Sequence, residues 1–104
     1  MQVIQVTVSI DSKEAAQRIA MAVIEKKLGA CVQVSGPITS TYTWEDQVQM
    51  DEEWLCVIKT TLECYSDLEA MIVDLHHYEV PEILAVPVDT GFSLYMDWIR
   101  ESVR

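Results

Sequence analysis

Apolar and polar residues alternate along the first ten positions and then change to a helical spacing. Apolar side chains recur at every second position of residues 3–10, which predicts a half-buried strand. Asp11 and Glu14 resemble a capping box, and an apolar stripe at helical spacing continues from there to Leu28. Gly29 suits the position after such a helix, where the backbone often has a left-handed conformation. The chain is therefore predicted to begin with a strand and a helix.

The next part of the sequence predicts a long hairpin. Residues 31–34 return to an extended pattern, and the proline within residues 35–37 favours a bulge or bend there, because proline cannot donate to a neighbouring strand. Residues 38–44 are rich in threonine and aromatic side chains, which favours strand. An acidic turn at 45–47 leads into a returning strand that is densely apolar over residues 54–58. The outer part of this hairpin is too long and too acidic to pack on one small core, which indicates a partner subunit.

The last part predicts two helices separated by a short strand. A helix is expected over 63–76, and Pro81 prevents its continuation. Residues 83–88 form an apolar run of strand length, and a final helix is expected over 93–103. Its expected buried residues are Leu94 or Tyr95, Trp98, Ile99 and Val103.

This order of elements defines the expected fold. Strand–helix–strand–strand–helix–strand is the ferredoxin-like split βαβ arrangement of an α+β protein, here with a long hairpin and an added C-terminal helix. A single domain is expected over 1–104. Its helices cover one face of the sheet, and the aromatic residues Tyr42, Trp44 and Trp54 favour burial of the other face by a second copy of the chain.

Composition narrows the classes of partner. The 104-residue chain carries 17 acidic and 7 basic residues, for a formal net charge of −10. This charge repels phosphate backbones and attracts cations, so nucleic-acid binding is excluded and cation binding is retained. No apolar run is long enough to cross a membrane, and no secretory signal is visible. An odd count of 3 cysteines without a C-x-x-C pair argues against disulfides and structural zinc and favours the cytoplasm.

The most chemically distinctive segment is residues 76–82. It contains His76, His77, Tyr78, Glu79 and Glu82, and imidazole with carboxylate ligands suits Cu²⁺, Zn²⁺ or Ni²⁺. Neighbouring residues on a helix point about 100° apart, so the two imidazoles converge only if the helix has already ended. The more ordinary interpretation is a helix end followed by a polar turn.

Other reactive side chains have ordinary explanations beside functional ones. Cys31 is a buried thiol or a soft, redox-sensitive ligand, and Cys64 lies where a helix dipole could activate it. Lys59 follows an apolar stretch and needs a carboxylate such as Glu79 or Glu82, unless its stem reaches solvent. A lysine–glutamate pair at a subunit cleft would suit a small anionic ligand.

A family resemblance covers nearly the whole chain. The block Tyr78-Glu79-Val80-Pro81-Glu82-Ile83, followed by Pro87, resembles the signature of the CutA divalent-cation tolerance proteins. Further matches are Lys27-Leu28-Gly29-Ala30-Cys31-Val32, the aromatic pair Tyr42 and Trp44, Glu52-Glu53, Ile58-Lys59-Thr60 and Trp98. Two departures are His77 in place of a proline within His-Pro-Tyr, and Asp46-Gln47 in place of a Gly-Lys hairpin turn.

The resemblance implies an assembly and a ligand class. It implies a homotrimer whose long hairpins pair between subunits, and the binding of copper or other divalent cations without catalysis. The metal candidates are then His76, His77, Glu79 and Glu82, with Cu²⁺ preferred and Zn²⁺ as the alternative. The implied residues of a cleft between subunits are Cys31, Tyr42, Trp44, Lys59 and Tyr78, together with the metal candidates other than His77.

Three functional hypotheses remain at this point. The first is a cytoplasmic trimer that binds divalent cations and contributes to metal tolerance or homeostasis. The second is a signalling or scaffold trimer resembling the PII-type regulators, with a small anionic metabolite held by Lys59. The third is a small enzyme using Lys59, Tyr78 and Glu82, which lacks an evident nucleophile and base.

Overall fold

The computed structural model describes residues 1–104 and contains one antiparallel sheet with helices on it. The elements are β1 (Val3–Ile10), α1 (Lys13–Glu25), β2 (Cys31–Trp44), β3 (Gln47–Thr61), a 3₁₀ turn (Leu62–Cys64), α2 (Tyr65–Leu75), β4 (Ile83–Pro87) and α3 (Ser93–Ser102). The strands lie in the order β2-β3-β1-β4, and every neighbouring pair is antiparallel. The predicted ferredoxin-like split βαβ fold is confirmed.

The core lies between the sheet and the first two helices. Alternate residues of β1 point towards these helices, as the period of two predicted. The core residues are Ile4, Val6, Val8, Ile10, Ala15, Ala16, Ile19, Val23, Leu28, Cys56, Ile58, Cys64, Leu68 and Ile72. None of the helices is both long enough and apolar enough to cross a membrane.

The burial of the Cys56 thiol in this core predicts that the free energy of unfolding depends on pH. Burial raises the pKa of Cys56 from 9.0 to about 11. As the pH rises, this thiol therefore ionises in the unfolded chain before it ionises in the folded protein. The stabilisation that the buried neutral thiol contributes is complete below the pKa of the unfolded chain and is lost as the pH rises to the pKa of the folded protein. Between about pH 8 and about pH 11, urea denaturation should show the free energy of unfolding falling by about 2 kcal/mol more in the parent protein than in Cys56→Ala. Equal decreases in the two proteins would contradict this origin.

The start of α1 differs from the prediction. Ser12, and not Asp11, caps the helix, because the Ser12 Oγ accepts the backbone N–H of Ala15 at 3.0 Å. The carboxylate of Asp11 is thereby left for other contacts.

The end of α1 also differs. The helix ends at Glu25, and Lys27, with a φ of 57°, is the left-handed residue expected at Gly29. Gly29 is required for a different reason: a Cβ there would lie 2.6 Å from the Cγ1 of Val23 and 2.8 Å from the Cγ2 of Ile58. The glycine allows the chain to pass close to the core.

The hairpin contains the predicted bulge and a two-residue turn. Glu45 and Asp46 both have positive φ, of 51° and 64°, which is the geometry of the turn that best joins twisted strands. The pairing register shifts between Ser35 and Ile38, where β2 carries one extra residue. Because side chains alternate, the extra residue reverses which β2 positions share a face with a given β3 position.

Two helix predictions are corrected by the structure. The predicted helix over 63–76 is a 3₁₀ turn followed by α2, which ends at Leu75. Ile99 is fully buried in α3, whereas the other residues expected to be buried there are partly or largely exposed. The reason is that α3 packs mainly on β1 and β3, on the second face of the sheet, where Val3 and Thr61 are buried. The rest of that face is more open.

Candidate functional site

A cavity of about 700 Å³ opens beside the hairpin, at the end of β1. Its walls come from the outer parts of β2 and β3, from the end of β1 and from the segment that follows α2. The lining residues are Ser9, Asp11, Ser40, Thr41, Tyr42, Trp44, Asp51, Glu52, Glu53, Tyr78, Glu79, Val80 and Glu82. The lining therefore includes six carboxylates and three aromatic rings but no lysine or arginine.

The bulge explains why the hairpin presents aromatic and acidic side chains together. Beyond it, Ser40 lies opposite Asp51 and Ile38 lies opposite Glu53. Alternation then places Tyr42 and Trp44 on the same face as these two carboxylates. The hydroxyl of Tyr42 donates a hydrogen bond to Asp51 and, because of this bond, the pKa of Tyr42 is raised. The phenol stays neutral and adds no further negative charge to the cavity.

Glu53 is the buried carboxylate of the cavity. It is 6% exposed, and its Oε2 accepts a hydrogen bond of 2.8 Å from the hydroxyl of Tyr78. Burial raises the pKa of Tyr78 well above its usual value, and the bond to Glu53 raises it further. This bond ties β3 to the segment that follows α2.

The opposite wall is placed by the end of α2 and by the end of β1. The helix stops at Leu75, and the chain continues in an extended conformation at His76. Further along, the hydroxyl of Ser9 donates to the Oε1 of Glu82 at 3.4 Å. The segment from Tyr78 to Glu82 is thus held at both ends against the sheet.

The two histidines have different environments. His76 is 7% exposed, and its Nε2 lies 2.7 Å from the carbonyl oxygen of Ser9. A carbonyl only accepts, so Nε2 carries the hydrogen, while Nδ1 accepts the backbone N–H of Tyr78 at 3.1 Å. His77 has a side chain that is 54% exposed, and its Nε2 lies 2.9 Å from the Oδ1 of Asp11. His76 positions the wall of the cavity, whereas His77 keeps its Nδ1 unbonded at the surface.

The donor atoms of this region do not form a preformed metal centre within one chain. No group of three or more His, Cys, Asp or Glu side chains converges closely enough to ligate a common metal ion. His77 and Asp11 bring two donors together, whereas the remaining carboxylates are spread over the cavity walls. Tight tetrahedral coordination of zinc needs more converging donors than these.

The structure brings together some of the predicted site residues and separates others. Tyr42, Trp44, Tyr78, Glu79 and Glu82 all line the cavity, and the two histidines adjoin it through Ser9 and Asp11. The predicted cleft residues Cys31 and Lys59 do not line it.

Cys31 and Lys59 lie elsewhere because of the strand register. They face each other across β2 and β3, and the amino group of Lys59 donates to Gln33. Glu82 contacts Ser9, which lies opposite Leu55, four residues along β3 from Lys59. At about 3.3 Å per residue these positions are about 13 Å apart, so the expected ion pair between Lys59 and Glu79 or Glu82 does not form within one chain.

Sequence reasoning missed several residues of the cavity. The missed side chains are Ser9, Asp11, Ser40, Thr41, Asp51, Glu52, Glu53 and Val80. The run of three carboxylates at 51–53, opposite a Thr- and aromatic-rich strand, was the available signal for part of this set. Nothing local in the sequence connects that run to Asp11.

The sheet topology, the long hairpin and the acidic cavity define a ferredoxin-like protein with a strongly acidic cavity beside its hairpin. The chain matches the CutA1 divalent ion tolerance protein family over residues 4–102, and it belongs to this family. The resemblance inferred from the Tyr78–Ile83 block is thereby confirmed.

Individual relatives agree with this assignment. The chain is 40% identical over 97 residues to the divalent-cation tolerance protein CutA of Thermus thermophilus, covering 93% of this chain and 94% of that protein. It is 37% identical over 101 residues to the chloroplastic protein CutA of Arabidopsis thaliana, covering 97% of this chain but 56% of that protein. The crystal structure of CutA1 from Oryza sativa superposes with a TM-score of 0.97 at 38% identity, covering 100% of this chain and 95% of that one.

Proposed function

We propose that this protein is a cytoplasmic, non-catalytic homotrimer that binds divalent cations and contributes to metal tolerance. The observation that carries the proposal is the cavity of about 700 Å³ with six carboxylates and no basic side chain in its lining. A concave acidic surface concentrates cations from solution. Membership of a family named for divalent ion tolerance supports the same ligand class, and three unpaired cysteines suit a reducing compartment.

The trimeric state is supported by the apolar side chains that the single chain leaves exposed. Val48 and Met50 protrude from the outer hairpin, where no core of the same chain lies. Leu84 and Val86 are exposed on the second face of the sheet, at its β4 edge. Exposed apolar residues grouped in this way are typical of surfaces that pair with another chain.

The preferred ion is Cu²⁺, with Zn²⁺ as the alternative. His77 presents an unbonded imidazole nitrogen beside Asp11, and Glu79 and Glu82 lie in the segment that follows. Imidazole with carboxylate oxygens suits Cu²⁺ best among the common divalent ions. Because His76 uses both ring nitrogens in hydrogen bonds, we assign to it the positioning of this segment and not ligation.

Native mass spectrometry with added Cu²⁺ tests assembly and binding together. In ammonium acetate at about 0.15 M ionic strength, where diffuse attraction is largely screened, we expect a trimer that takes up one copper ion per chain. His77→Ala should weaken this uptake about tenfold, since it removes the imidazole donor. Glu63→Gln, on the 3₁₀ turn and outside the cavity, removes one surface carboxylate and should leave the site-specific uptake unchanged.

Other outcomes would contradict separate parts of the proposal. A monomer would exclude the trimer and remove the explanation for the exposed hairpin. A broad series of weakly bound ions that His77→Ala leaves unchanged would show that copper binding is a consequence of net charge.

The anionic-metabolite alternative is not favoured by any feature of the cavity. Its required cation, Lys59, lies on another part of the sheet and donates to Gln33. An anion in the cavity would meet carboxylates without any compensating charge.

A further inference from the structure

We propose that the acidic cavity binds a linear aliphatic polyamine, an organic cation with two or more ammonium groups separated by methylene chains. The proposal names a ligand class for the cavity and rests on its assignment to cations in the proposed function. It goes beyond that function, because Glu53 and the aromatic side chains that would hold an amine are not among the residues assigned to the metal ion.

Glu53 presents a carboxylate oxygen that has no partner in the protein. Its Oε2 accepts from Tyr78, whereas its Oε1 has no hydrogen-bond partner in the protein, and no ion pair involves this carboxylate. Every fully buried side-chain oxygen of the protein has a hydrogen-bond partner. Because Oε1 has none, it is not fully buried, and it is accessible from the cavity that Glu53 lines. A carboxylate that is only 6% exposed and has no counter-charge is costly. An ammonium group in the cavity would donate to it and neutralise it.

Aromatic side chains form a wall of the cavity. Tyr42, Trp44 and Tyr78 line the same cavity as the carboxylates. Ring faces attract ammonium groups by cation–π interaction and also contact methylene groups, neither of which helps a hydrated metal ion. Tyr42 and Tyr78 donate their hydroxyls to Asp51 and Glu53, which fixes both rings before a ligand arrives.

Negative charge is spread over opposite sides of the cavity. The carboxylates come from the hairpin on one side and from Asp11, Glu79 and Glu82 on the other, and no three of them converge on one point. Coordination of a metal ion within the cavity would need three or more converging donors, which one chain does not supply there, whereas an extended polyamine places separate charges at separate carboxylates. The volume of about 700 Å³ lies within the range typical of small-molecule sites.

Calorimetric titration with spermidine tests this assignment on the full-length protein. At about 0.15 M NaCl, where diffuse attraction is largely screened, we expect one saturable site per chain. Mg²⁺ at the same concentration of charge should not displace it, because Mg²⁺ gains nothing from the aromatic wall. Glu53→Gln should weaken spermidine binding at least tenfold, while it keeps an acceptor for Tyr78.

Two further variants keep the test decisive. The side chain of Tyr42 is 42% exposed, so the fold should tolerate Tyr42→Leu. This substitution should weaken spermidine binding about fivefold, because it removes the face of the ring. Glu63→Gln is the matched charge control outside the cavity and should stay within about twofold, as diffuse charge predicts. Equal losses in Glu53→Gln and Glu63→Gln, displacement by Mg²⁺, or no saturable site would overturn the polyamine proposal.

The two proposals can fail separately. His77→Ala should lower copper uptake and leave spermidine binding unchanged, whereas Tyr42→Leu should do the reverse. Copper binding without spermidine binding would overturn this inference alone. Spermidine binding without site-specific copper uptake would overturn the metal assignment alone.

Discussion

Gly36→Ala is expected to lower the free energy of unfolding by about 2–5 kcal/mol and to weaken ligand binding in the acidic cavity. Gly36 has a φ of 153°, a region that essentially only glycine adopts. A Cβ at this position would also lie 2.5 Å from the Cδ1 of Trp54. Both the backbone and the indole ring would have to move, and Gly36 lies within the bulge that sets the orientation of Tyr42 and Trp44.

Gly91→Ala provides the matched control for this prediction. Its nearest atom would be the Sδ of Met96 at 2.7 Å, which belongs to a flexible side chain, and its φ is not positive. In urea denaturation, we expect the free energy of unfolding of Gly91→Ala to differ from that of the parent protein by less than about 1 kcal/mol. The proteins are compared at equal chain concentration, because the stability of an oligomer depends on it. Equal effects of the two substitutions would show that the bulge conformation of Gly36 is not a special requirement.

The element order was predictable because each element carries its own local periodicity. The alternation in residues 3–10 and the helical stripe after it have different periods, and each predicts its element without knowledge of the rest of the fold. The bulge was predictable from Pro37, which has no backbone N–H to donate to a neighbouring strand. Helix ends were less predictable, since Asp11 and Ser12 are adjacent residues that both suit the N-terminal cap.

The cavity was only partly predictable because its walls are distant in sequence. The segment from Tyr78 to Glu82 was recognised by its concentration of polar side chains and by its resemblance to a family signature. The contribution of Glu53 depends on a hydrogen bond to Tyr78 across 25 residues, and that of Asp11 depends on the end of β1. Strand register decides such contacts, and register is not apparent from any short stretch of sequence.

The partner of Lys59 within the chain is also decided by strand register. A lysine after an apolar stretch requires a polar partner, and this requirement is met by Gln33 on the neighbouring strand. The sequence indicates that a partner is needed, but several polar side chains satisfy the need equally well. Only the register shows that Glu79 and Glu82 belong to the other end of β1.

His76→Ala is expected to lower the free energy of unfolding by about 2–4 kcal/mol, whereas His77→Ala should lower it by less than about 1 kcal/mol. The side chain of His76 is almost fully buried and joins the carbonyl of Ser9 to the backbone N–H of Tyr78. Its removal leaves both groups without their partner and opens a small cavity. His77 is exposed and contributes one surface ion pair with Asp11.

Urea denaturation of both variants near pH 7.5 checks this ordering, and copper uptake gives the complementary measurement. For His77→Ala we expect nearly unchanged stability and reduced uptake. The two variants can be compared directly, because each removes an imidazole and the two positions are adjacent in the sequence. A larger stability loss in His77→Ala would mean that the surface ion pair, and not the buried imidazole, fixes the segment that carries Tyr78 into the cavity.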